Sequence, residues 1–196
     1  MRRKTIVSLI VVLVVSFAGI STASAEEMEN PTMNSSTDLA LTARYLGETV
    51  LHTGATVGVE YYLYENSWYK LMLAPNIGWY FHPRNHHAAL VDVELGGRFT
   101  SNFGLFADGF LGLGYFHRFP DGEIFEVSNS GNVDEDTNSG IPAGMGIVTV
   151  GGGWDFSKNN IAPLNLHLRL GGIFEYPFNN TVLPHGIVQL GLTYRF

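Results

Sequence analysis

The chain has 196 residues, carries 18 acidic against 11 basic side chains for a formal net charge of −7, and contains no cysteine. That length suits one domain. The acidic balance repels phosphate backbones and argues against a nucleic-acid partner. The lack of cysteine rules out a disulfide framework and lipid attachment through a lipobox thiol, so packing and backbone hydrogen bonds must hold the fold.

Arg2, Arg3 and Lys4 precede an apolar run from Ile6 to Ile20, and Ala23-Ser24-Ala25 is a small-residue site of the A-x-A kind. That order reads as a secretory signal peptide over 1–25, cleaved after Ala25. The run is short for a spanning helix, which needs about 20 apolar residues. Losing those three cations leaves 8 basic against 18 acidic side chains, a net of −10. Residues 26–37, with Asn30-Pro31 and Ser35-Ser36, read as a periplasmic lead-in, and 38–196 as the folded domain.

From Asp38 onward, segments of strand length alternate with turn-rich stretches, and helical spacing is not sustained anywhere. The predicted strands are Leu39–Leu46, Ala55–Glu65, Trp68–Phe81, Ala89–Phe99, Gly104–His117, Gly144–Phe156, Leu164–Tyr176 and Gly186–Phe196. The seventh is the clearest: Leu164, Leu166, Leu168, Leu170, Phe174 and Tyr176 share one face, and Asn165, His167, Arg169, Gly171 and Glu175 the other. A period of two puts these sets on opposite sides of a sheet. Most segments approach the length needed to cross a bilayer when tilted. Pro75 lacks an N–H inside the third strand and calls for a bulge, and Gly151-Gly152-Gly153 weakens the sixth.

The connections Glu65–Ser67, Ser101–Phe103 and Ser157–Pro163 read as short turns. Those at Gly47–Gly54, His82–Ala88, Arg118–Ala143 and Pro177–His185 read as longer loops. Short turns on the periplasmic side and longer loops outside are the pattern of an even-stranded outer-membrane barrel. The aromatics sort accordingly. Tyr45, Trp79, Phe81, Tyr115, Phe174 and Tyr176 fall near the loop ends; Tyr61, Tyr69, Phe99, Trp154, Phe156, Tyr194 and Phe196 fall near the turn ends. Two aromatic girdles around an aliphatic band fit a membrane, and a soluble core has no reason to sort aromatics in this way. Strand parity turns Arg44, Glu60, Lys70, Asp92, Glu94, Arg98, Asp108, Asp155, His167, Arg169, Glu175 and Arg195 inward. Eight strands enclose an interior that side chains fill, and charges there must pair. The expectation is a filled polar lumen with Arg98, Arg169 and Glu94 near its middle.

Leu190, Leu192, Tyr194 and Phe196 alternate to a final phenylalanine. This segment resembles the C-terminal assembly signal of bacterial outer-membrane proteins. The whole chain after the leader resembles the small eight-stranded barrels of the OmpA-transmembrane or OmpX kind, with no single subfamily indicated. The resemblance implies an all-β, eight-stranded antiparallel transmembrane barrel of a Gram-negative cell envelope, porin-like in architecture. Its implied partners are outer-membrane lipid, lipopolysaccharide and the barrel-assembly machinery, and it implies a monomer.

Six histidines, His52, His82, His86, His87, His117 and His185, fall in or beside the predicted external loops. Imidazoles at one rim can bind zinc or copper, and the candidate ligands are His82, His86, His87 and His117, with Asp134 and Asp136 of the long acidic loop. The plainer account is that loop ends tolerate histidine and that the acidic loop is solvated. The functional expectation is a non-enzymatic barrel, without a cofactor, whose external loops mediate surface interaction or envelope integrity. The alternatives are a narrow channel for small solutes and an enzyme acting on lipid A or phospholipid. The latter needs a nucleophile near a base; Ser128, Ser130 and Ser139 of the long loop are the serines nearest the rim histidines.

Overall fold

The computed structural model describes residues 38–49, 52–83, 85–122, 124–127, 131, 133–136, 139–178 and 180–196. The signal-peptide and lead-in readings fall outside these residues. The strands are β1 (Leu39–Glu48), β2 (His52–Glu65), β3 (Tyr69–His82), β4 (His86–Thr100), β5 (Leu105–Pro120), β6 (Ile124–Val127), β7 (Val133–Asp136), β8 (Ile141–Asp155), β9 (Leu164–Phe178) and β10 (Thr181–Arg195). β6 and β7 form a separate hairpin. The other strands close into an antiparallel barrel in the order β1-β2-β3-β4-β5-β8-β9-β10. β10 returns to β1 from Ala40↔Arg195 to Glu48↔Ile187. Closure gives every wall strand two neighbours and leaves no edge to pair with another chain.

Both ends of the wall sequence, Leu39 and Arg195, lie at one end of the barrel, called here the terminal end; the β6–β7 hairpin marks the other. The strands run further at the hairpin end than their alternation suggested. Only 49–51, 83–85 and 179–180 remain as connections after β1, β3 and β9, so three of the predicted longer loops shrink to two or three residues between extended strands. The stretch 121–140 is the longest connection between described wall strands, and within it β6 and β7 pair from Ile124↔Asp136 to Val127↔Val133.

Pro75 needs no bulge. Its register with Val93 of β4 is unbroken, and on its other side the ladder with β2 lapses between Gly58↔Asn76 and Tyr61↔Leu73 without a shift. A short lapse absorbs the missing donor. The bulge lies further along, between Tyr62 and Tyr64. An extra residue there reverses the parity of the strand's last residues: Tyr64 is exposed and Glu65 reaches the lumen's basic side chains. The glycines of β8 leave the strand continuous and make room inside it. A Cβ on Gly153 would meet the Phe106 ring, and one on Gly151 the Arg169 side chain.

The barrel's polarity is inverted relative to a water-soluble one. Leu111, Leu113, Val150 and Leu170 are exposed on the outer wall, whereas Glu60, Glu94, Arg98 and Arg169 are at most 1% exposed within it. At the terminal end Trp68, Tyr69 and Phe99 contact one another on the outside, with ring centroids 4.9–5.9 Å apart. At the hairpin end Trp79 stacks on Phe119 at 5.8 Å.

Candidate functional site: the filled lumen and its histidine-lined mouth

The inward side chains form layers. At the terminal end Lys70 lies 3.1 Å from Glu65 and 3.7 Å from Asp155, and Arg195 meets Glu65 at 2.7 Å. The Tyr62 ring faces both cations, 5.4 Å from the Lys70 ammonium and 4.6 Å from the Arg195 guanidinium.

The next layer is a buried cluster with two charges of each sign. Asp108 accepts from Arg98 through Nε (3.2 Å) and Nη2 (3.1 Å), and from Arg169 through Nε (3.1 Å) and Nη2 (2.8 Å). Glu60 Oε1 accepts from Arg98 Nη2 at 3.2 Å and from Arg169 Nη2 at 3.4 Å. Phe106 covers the Arg98 guanidinium at 4.4 Å and Phe110 covers that of Arg169 at 4.0 Å. Charge pairing opposes the desolvation of all four ions, and the ring contacts add to it for the two guanidiniums. With its side-chain amide turned end for end, the orientation its neighbours demand, Asn165 donates to Asp155 at 2.9 Å and accepts from Arg98 at 3.0 Å. His167 is buried beside this cluster, its ring nitrogens without a protein partner.

Above it, Arg44 donates to Asn76 and, at 3.5 Å, to Glu94, and Asn76 donates to Asp92 at 2.8 Å. Glu94 thus belongs to Arg44, one layer away from the Arg98–Arg169 cluster. The hairpin-side half of the lumen then turns apolar: Leu46, Tyr80, Leu90, Phe116, Ile147 and Ile173 pack together, all nearly fully buried. This apolar layer modifies the expectation of a filled polar lumen. Strand alternation is consistent with these inward positions, but only charged and polar side chains are assigned to the lumen from the sequence.

The mouth above that layer is again polar. His185 sets Nδ1 2.8 Å from Glu48 Oε1 and Nε2 3.4 Å from Glu175 Oε2, and Arg118 lies 3.2 Å from Glu175. His86 Nε2 is 2.9 Å from the Tyr80 hydroxyl. His52 Nδ1 is 2.7 Å from Glu48 Oε2, and the His52 ring stacks on His82 with centroids 3.5 Å apart.

Among the described residues, the predicted metal set does not assemble as one group. His86 and His87 are consecutive on β4 and therefore face opposite sides of the sheet. His87 joins the outer aromatics, 4.8 Å from Phe81, and its Nε2 is 3.4 Å from Asp121. His117 also lies outside, against Tyr115 and Phe119, with Nε2 3.0 Å from the Ser139 backbone oxygen. His82 and His86 remain together at the mouth. The Asp134 and Asp136 side chains, like Ser128 and Ser130, lie outside what is described. Glu48 and His52, absent from the predicted set, join His82 because Glu48 pairs with His52 at the end of the β1–β2 ladder. The sequence interval Glu48–His52 was the available signal, hidden by reading 47–54 as loop.

No family model matches the sequence, and no curated protein matches it. Among solved structures, the chain is similar to the N-terminal β-barrel domain of Pseudomonas aeruginosa OprF, at 15% identity over 81% of this chain and 96% of that one, with a TM-score of 0.46. It is similar to Neisserial surface protein A at 13% identity over 81% and 96%, with a TM-score of 0.47. Ail of Yersinia pestis, in a phospholipid bilayer nanodisc, matches at 13% identity over 81% and 98%, with a TM-score of 0.42. By its own strand order the chain is a closed, eight-stranded, all-antiparallel barrel, the architecture that its resemblance to the small barrels implied.

Proposed function

We propose that the chain is a non-enzymatic outer-membrane barrel with a sealed lumen, whose hairpin end contacts the surroundings or supports envelope integrity. The inverted polarity carries this reading. In water the outer wall would expose a continuous apolar surface larger than soluble monomers tolerate. In a bilayer that surface meets acyl chains, and barrel closure satisfies the backbone internally. On this reading the terminal end faces the periplasm and the β6–β7 hairpin faces outward. The outer wall contacts outer-membrane lipid and lipopolysaccharide, the barrel acts as a monomer, and Leu190, Leu192, Tyr194 and Phe196 present the segment read by the assembly machinery.

A sealed lumen is favoured over a narrow channel by the layers of ion pairs and apolar side chains. Arg44, Asn76, Asp92 and Gln189 line the space between those layers together with Leu46 and Leu90. The test is single-channel recording on the refolded protein in planar bilayers. The proposal expects no discrete conductance steps; reproducible steps would overturn the sealed lumen. Mass spectrometry of envelope lipids from cells with and without the gene tests the non-enzymatic part, which expects identical lipid A and phospholipid profiles and fails if a lipid species depends on the gene.

A further inference from the structure

Three strand ends converge at the mouth on a donor set that a sealed barrel does not require. Glu48 closes β1, His52 opens β2 and His82 closes β3, and one ligand atom from each lies within 4.8 Å of the other two. His82 Nδ1 is buried there with no protein partner, an unusual state for a buried polar atom. The Glu48 carboxylate is held from behind by His185, which leaves the Oε2 side turned to His52.

We propose that Glu48, His52 and His82 form a three-ligand site for a divalent transition-metal ion of the zinc or copper class at the mouth of the barrel. Two imidazoles and one carboxylate are a donor set suited to borderline-soft ions, and three protein ligands leave a position open to solvent or a small ligand. Tetrahedral bonds of about 2.0–2.2 Å set ligand atoms roughly 3.4 Å apart, so Glu48 Oε2 and His52 Nδ1, now 2.7 Å apart, must part slightly, while the His82 ligand atom already lies within 4.8 Å of both. That movement is local. The His52 and His82 rings are stacked with 25° between their planes, so binding turns one ring until both lone pairs point at a common centre. His185 supplies the outer-shell hydrogen bond that fixes a metal-binding carboxylate. His86, 5.2 Å from His82 between ring centroids, is engaged with Tyr80 and stays outside the three-ligand set. The ligands sit on paired strand ends rather than on a free loop, which limits the ordering that binding demands.

This inference rests on side-chain geometry alone and does not depend on the proposed surface role. It is tested by titrating zinc chloride, by calorimetry, into the tag-free refolded protein in detergent micelles. The expected result is one saturable site per chain. His82→Asn and Glu48→Gln should each weaken it by about tenfold or more, by analogy with the 10–100-fold effect of losing even an outer-shell partner. His87→Asn, which removes the outward imidazole, should leave affinity unchanged. Cobalt(II) should give the visible absorption of a tetrahedral nitrogen–oxygen site, lost in His52→Asn. Far-ultraviolet circular dichroism checks that each variant keeps its barrel. Absence of heat beyond dilution in the unaltered protein would overturn the proposal, as would correctly folded His82→Asn and Glu48→Gln variants that bind zinc as tightly as the parent.

Discussion

Asp108 is the acceptor on which the lumen's central cluster turns. Replacing it with leucine removes the four charge-assisted contacts from Arg98 and Arg169, at 2.8–3.2 Å, and leaves Glu60 as the one carboxylate facing two fully buried guanidiniums. Breaking a buried ion pair from one side leaves an uncompensated charge and costs about 3–5 kcal/mol. A second change, Arg169→Leu, should recover much of that loss, because it restores one cation opposite one anion, Arg98 with Glu60. Removing both members of a buried pair is often near neutral. The assay is equilibrium urea unfolding in lipid vesicles, followed through Trp68, Trp79 and Trp154, with all four combinations compared in a double-mutant cycle. The expected coupling between the two sites exceeds about 1.5 kcal/mol, well above the 0.3–0.5 kcal/mol scatter of independent sites. Asp108→Leu within about 0.5 kcal/mol of the parent, or additive effects in the double variant, would refute the cluster's structural role.

Two further outcomes follow from the wall. Leu111→Arg, midway along the exposed face of β5, should cost about 2–4 kcal/mol in the same assay, whereas Leu105→Arg, at the start of that strand, should cost no more than about 1 kcal/mol; equal costs would contradict the apolar band. Gly96 lies under the Phe110 ring, which a Cβ would strike, so Gly96→Ala should lose about 1–3 kcal/mol through overpacking, and Phe110→Leu in the same chain should restore part of it.

Much of the barrel was legible because its signal is local. A period of two in Leu164–Tyr176 marks two faces without knowledge of any neighbour, and the same parity brought Arg98, Asp108, Arg169 and Glu60 to one lumen. Which charges pair was not legible. Glu94 joins Arg44 rather than the Arg98–Arg169 cluster because pairing depends on the stagger between strands, and no single strand encodes that stagger. Glu65 was hidden by the bulge between Tyr62 and Tyr64, which reverses parity after a pattern that had been regular. Glu48 and His52 were hidden for a different reason: polar residues at a strand end look like loop whether or not the ladder continues through them. The inward aromatics Tyr62, Phe106 and Phe110 carried no signal as partners of lysine and arginine, since an aromatic in a wall strand reads as lipid-facing.

Contact of the outer wall with hydrocarbon is what the proposed function depends on most. Because the chain has no cysteine, single cysteines at Leu105, Ala107, Leu111 and Leu113 of β5, and at Phe125 of the hairpin, can each carry one nitroxide label. Collision rates with oxygen and with a water-soluble nickel chelate, measured by electron paramagnetic resonance in reconstituted vesicles, report what surrounds each label. A wall facing hydrocarbon gives oxygen-rich, chelate-poor surroundings at Leu111 and Leu113, a weaker contrast at Leu105 and Ala107, and chelate-rich surroundings at Phe125. A label at Leu111 that meets the chelate as often as the label at Phe125 would contradict it.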